Sequence, residues 1–220
     1  HAGLLRGYNY DRESSEFTVL HFKTFLQVLA QNPDIEKINI LAHSRGTDVT
    51  VSALRELHIY YEGREESTNE QLKLGQVILA APDLDIQVLN QRFNRGGAYT
   101  GPDQITIYFS QTDKAIKASI WLFDSIYRLG SILIDKITPL QAKHIKELET
   151  MNAVEVSTKT KGIGHSYFID DPATLSDVIL VLRDGLEAGE ENGRPLTPVV
   201  DGIWRLESGY PKSTPSQKHQ

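Results

Sequence analysis

The sequence predicts an α/β fold, a parallel sheet covered by helices on both faces as a three-layer α/β/α sandwich. Three observations carry this expectation. Short, mostly apolar runs recur at 37–42, 76–81, 104–109 and 154–158, which suits strands buried on both faces. Between them lie segments whose apolar residues fall at i, i+3, i+4 and i+7, the spacing of one helix face. Polar residues with chemical potential stand just past the ends of the runs, where a parallel sheet presents its functional groups.

The elements follow in order. Residues 1–13 read as an irregular lead broken by Gly3, Gly7 and Asn9. A helix is expected over 14–30, with Phe22, Phe25, Leu26 and Leu29 on one face and Asn32-Pro33 ending it. The 37–42 strand runs into a helix from Gly46 to Tyr61 that carries Val51, Leu54 and Leu57. The charged stretch 62–74 reads as a surface loop. After the 76–81 strand, a helix at 84–93 presents Ile86, Leu89 and Phe93, and a Gly/Pro-rich loop leads to the 104–109 strand. A helix is expected over 113–127 and a further amphipathic one within 130–150. After the 154–158 strand, Asp171 is an N-cap with Pro172 at the first helical position, and Gly185 stops that helix. Residues 1–188 therefore read as one domain and 189–220 as a C-terminal extension, its last ten residues disordered.

Composition narrows the function. The 220 residues are 40% apolar and 24% charged, the balance of a globular chain with a core. A net charge of −6 gives no basic surface for nucleic acid. No apolar run approaches the eighteen or so residues of a membrane span. The absence of cysteine excludes disulfides, thiolate metal sites and cysteine nucleophiles. Gly162-Ile163-Gly164 lacks the third glycine and the setting of a dinucleotide loop. No cofactor or metal is expected.

The first strand enters Ala42-His43-Ser44-Arg45-Gly46, an A-x-S-x-G variant of the strand-turn-helix serine motif. Small residues at 42 and 46 are expected to let the turn close while the serine projects above the sheet; the alternative role for Ser44 is a simple helix cap. Asp113 follows the third strand, placed either to orient a histidine or to cap the next helix. His165 follows the fourth strand between Gly164 and Ser166, in a loop from which a base could reach the serine. Asp83 and Asp85, after the second strand, are alternative acids. His43, expected to point away from the serine hydroxyl, reads as packing or as a support behind the site, and His21, His58 and His144 as side chains of helical segments.

Asp11-Arg12-Glu13-Ser14, Leu41 to Thr47, Ala80 to Asp85 and Gly164-His165-Ser166-Tyr167 together resemble a bacterial α/β-hydrolase family of unknown function within the esterase/lipase superfamily. The resemblance spans about Asp11 to Leu182 and implies a Ser44–Asp113–His165 triad, with the Arg45 backbone N–H as an oxyanion donor. It implies a serine hydrolase acting on a small-molecule or lipid-like ester. The rival reading is a non-catalytic hydrolase-like scaffold that binds a partner or an envelope component. Compartment is open between bacterial cytoplasm and envelope.

The chain opens at His1, and 43 residues precede Ser44, too few for the upstream strands expected of that family. This predicts the C-terminal part of the full sheet and the loss of one oxyanion donor, which typically lowers turnover by about 10²–10³. It also predicts an open edge lined by Ile38 and Ile40, with self-association through it and part of the surface under Phe22, Phe25 and Leu29 uncovered.

Overall fold

The computed structural model describes residues 8–64, 67–117, 129–131, 150–157, 164–200, 202–206 and 209–210. Four strands, Ile38–His43 (β1), Leu74–Ala80 (β2), Gln104–Phe109 (β3) and Met151–Val156 (β4), run parallel and lie adjacent in sequence order. Leu196–Val200 (β5) and Ile203–Leu206 (β6) extend the same sheet to the order β1-β2-β3-β4-β6-β5. β6 is parallel to β4, whereas β5 is antiparallel to β6, so the parallel sheet ends in one reversed strand. The helices are Tyr8–Gln31 (α1), Gly46–Tyr61 (α2), Thr68–Leu72 (α3), Ile86–Asn90 (α4), Tyr167–Asp170 (α5) and Pro172–Asp184 (α6), with a helical turn at 114–117.

Successive side chains of a strand point to opposite faces, and this divides the core in two. Ile38, Ile40, Val77, Leu79, Ile105 and Ile107 pack with Leu26 of α1, Leu54 and Leu57 of α2, and Leu89 of α4. On the other face Ile78, Tyr108, Val154 and Val156 meet Phe168 of α5 and Val178 and Val181 of α6. Helices on both faces of the sheet make the three layers. Position in the sheet sets the burial pattern: β2 and β3 are buried at every residue, while β1, the terminal strand, alternates.

Several expectations are corrected. Ile38 and Ile40 do not line the sheet edge; each is only 8% exposed because it points beneath α1 and α2. The outward positions of β1 are Asn39 and the 43%-exposed Leu41. The helix before β1 begins at Tyr8, inside the stretch read as irregular. Its buried face carries Val19, Leu26 and Ala30, with Phe22 and Leu29 partly covered, whereas Phe25 is exposed. The 62–74 stretch is not wholly a loop. Ser67 and Glu70 form a reciprocal capping box that starts α3, and Leu74 already belongs to β2.

The helix expected over 84–93 divides into α4 and a π-helical turn, Gln91–Arg95. β4 begins three residues before the predicted 154–158 run, because Met151 and Ala153 pair with β3. Residues 189–220, read as an extension, contribute β5 and β6 to the sheet. The parts of the predicted 113–127 and 130–150 helices beyond 117 and 131, and the tail from 211, lie outside the described residues.

Candidate functional site

The carboxyl ends of β1, β2 and β3 open on one side of the sheet, as parallel pairing requires. Ser44, one residue past β1, has φ +54, a left-handed conformation that a residue with a Cβ seldom adopts. Its N–H donates to Ala80 O at 3.0 Å and its carbonyl accepts from the Thr47 N–H at 3.1 Å. The main chain is thereby held between β2 and the first turn of α2. The strained turn frees Ser44 Oγ from a capping role, and no side chain caps α2 at its N-cap residue, Arg45. The crowding expected to require a small residue at 46 is not found: a Cβ built on Gly46 meets nothing within 4 Å among the described residues.

Ser44 Oγ lies 2.8 Å from His165 Nε2, and His165 Nδ1 lies 2.7 Å from Asp113 Oδ2. A carboxylate only accepts, so Nδ1 carries the proton and the Nε2 lone pair accepts from the Ser44 hydroxyl. Asp113 is essentially buried, and its other oxygen accepts from the Ala115 and Ile116 N–H groups at 2.9 and 3.1 Å. Capping a helix and holding a histidine are thus both done by one carboxylate, an oxygen to each. The Tyr167 phenol donates to Tyr108 O at 2.8 Å, fixing the start of α5 two residues beyond His165. Burial first, and then the nearby Asp113 charge, push the Tyr167 phenol well above its ordinary pKa, so it stays a donor.

The alternative acids are engaged elsewhere. Asp83 Oδ2 lies 3.0 Å from Arg45 Nη2, and Asp85 caps α4 by accepting from the Gln87 and Val88 N–H groups. Arg45 also faces Asp48 at 3.8 Å, and Asp48 in turn pairs with Arg92. The loop bearing Asp83 turns at Ala81, φ +46, and is braced where Leu129 N–H donates to Leu84 O and Gly130 N–H to Pro82 O. Glycine is required at 130, because an added Cβ would stand 2.8 Å from that carbonyl.

Sequence reasoning missed Asp48, Arg92 and Tyr167 as supports of this region. Tyr167 stood inside a quoted motif, whereas nothing local marks Asp48 or Arg92. His21 and His58 lie in α1 and α2 away from this group, and His144 is outside the described residues. Among the described residues no group of three or more His, Asp or Glu side chains could hold a metal ion. None of the described helices is long and apolar enough to cross a membrane.

Fold and sheet-end geometry together define an α/β-hydrolase scaffold. The chain belongs to the family described as "Alpha/beta hydrolase of unknown function (DUF900)", whose model matches residues 2–183. No curated protein and no solved structure matches it significantly.

Proposed function

We propose that this chain is a serine hydrolase that cleaves carboxylic esters through an acyl-serine intermediate. The observation that carries the reading is the continuous hydrogen-bonded chain from Ser44 Oγ through the His165 imidazole to the buried Asp113 carboxylate. Ser44 Oγ attacks the ester carbonyl carbon as its proton passes to His165 Nε2. Negative charge collects on the former carbonyl oxygen, at the amino-terminal end of α2, where the Arg45 backbone N–H donates to it. Asp113 holds the imidazole in orientation and stabilises it once it is charged. Collapse breaks the ester C–O bond, and the leaving alcohol takes the proton from Nε2. Water then attacks the acyl carbon, gives its proton to His165, and the carboxylic acid leaves with Ser44 regenerated. Small-molecule or lipid-like esters are the substrate class.

Fluorophosphonates phosphonylate an activated serine with loss of fluoride, so the test is labelling of the chain followed by peptide mapping. Modification at Ser44, lost in Ser44→Ala together with hydrolysis of a short acyl ester, is the expected result. Absence of labelling in the wild-type chain overturns the reading.

A further inference from the structure

His43 has a role that its position beside Ser44 does not reveal. Its side chain leaves β1 on the face opposite Ile40 and Ala42 and reaches the residue that bonds to Ser44. The His43 and His165 rings lie 4.7 Å apart, tilted by 47°, and the His43 ring is also 4.7 Å from that of Phe168 in α5. His43 Nε2 is 3.1 Å from the main-chain oxygen of His165. A carbonyl only accepts, so Nε2–H is the donor and the ring is read as the Nε2–H tautomer.

His165 belongs to no helix or strand in the structure. Two consecutive residues thus hold it at both ends: His43 grips its main chain, and Ser44 meets its ring. We infer that His43 is a positioning residue for His165, anchoring that backbone through Nε2–H and packing beside the imidazole. This rests on the hydrolase reading above for its consequence in catalysis, but not for its geometry.

The charge balance supports the assignment. Two titratable groups bear on His43, the imidazole of His165 and the carboxylate of Asp113. Burial is the largest influence and pulls the His43 pKa below its ordinary value; His165 acts in the same direction, while the bond to its carbonyl and Asp113 oppose. A neutral His43 leaves room for His165 to become positively charged when it takes the serine proton. A charged one would repel that imidazolium across the 4.7 Å between the ring centres.

Three substitutions separate the roles. Gln places an amide donor near the Nε2 position, Asn is too short to do so, and Phe keeps a ring without a donor. His43→Phe and His43→Asn are expected to lower kcat for p-nitrophenyl acetate by about 10–100-fold with little change in KM, the scale of loss that a misplacement of about 1 Å brings. His43→Gln is expected to restore most of the loss. The fluorophosphonate labelling rate should follow the same order.

A readout independent of turnover is the low-field proton resonance of His165 Nδ1–H bonded to Asp113. It should persist in the wild type and His43→Gln, and be lost to exchange in His43→Asn and His43→Phe. Should the Phe variant not fold, the Gln and Asn pair still decides the matter. Wild-type kcat and an intact resonance in His43→Asn would overturn the assignment. A wild-type chain that shows the resonance but takes no fluorophosphonate would sink the hydrolase reading alone, since the resonance comparison decides the role of His43 separately.

Discussion

At the scale of single residues, Asp113 shows how one side chain can cap a helix and hold a histidine at once. Asn at 113 keeps an oxygen for the Ala115 and Ile116 N–H groups but turns an N–H₂ toward His165 Nδ1. The imidazole must then take the other tautomer and present N–H to Ser44, which removes the base. Asp113→Asn is therefore expected to cut kcat by about 10⁴-fold while leaving the urea midpoint nearly unchanged. Asp113→Ala should match that loss and also cost about 1 kcal/mol as the helix cap disappears. Urea unfolding and ester kinetics on both variants check this. Equal stability loss in the two would show that the cap contributes nothing.

At the scale of elements, the site depends on how short segments are clamped to the sheet. α5 has four residues, too few to be stable by its own hydrogen bonds. It is held by burial of Tyr167 and Phe168 and by the Tyr167 hydroxyl on Tyr108 O. That carbonyl also accepts from the Ala81 N–H, so losing the phenol leaves it with one partner. Tyr167→Phe should thus cost only about 1 kcal/mol in urea unfolding, with a larger proportional drop in fluorophosphonate labelling because His165 lies two residues away. An unchanged labelling rate would show that α5 does not govern the histidine. The same tying of ends recurs on β4, where Glu155 accepts from Gln111 and Arg205 at 2.7 Å each and so joins the β3 end to β6.

At the scale of the molecule, a fully buried polar knot joins the C-terminal strands to the rest. Arg194 bonds Asp177 of α6 with Nε at 2.8 Å and Nη2 at 3.0 Å, and the Tyr108 phenol of β3 donates to the same carboxylate at 2.7 Å. Burial and then the Asp177 charge raise the Tyr108 pKa well above its usual value, so it remains a donor. Removing one member strands a buried charge. Arg194→Leu is expected to cost about 3–5 kcal/mol, and combining it with Asp177→Leu should recover much of that. Urea unfolding of the single and double variants is the measurement; a single-variant loss below about 1 kcal/mol would mean that the pair is not desolvated in solution.

The amino-acid pattern by itself determined the alternation of strands and helices, the parallel direction of β1 to β4 and the residues at their ends. Each is written in short-range terms: apolar period, a cap followed by Pro, a strand-turn-helix motif around Ser44. What only the tertiary structure decided are contacts between residues far apart in the chain. Ser44 and His165 are 121 positions apart and His165 and Asp113 52, and the sheet order together with the contacts that hold His165 brings them to hydrogen-bond distance. That Asp113 rather than Asp83 meets the His165 ring was likewise decided in space, where Arg45 engages Asp83. β5 and β6 escaped notice because β5 is a partly exposed edge strand and Arg194 finds its partner only after α6 folds back. Ile38 and Ile40 are buried although β1 is an edge strand, since an edge leaves main-chain groups open while side chains still turn to the faces, where α1 and α2 cover them.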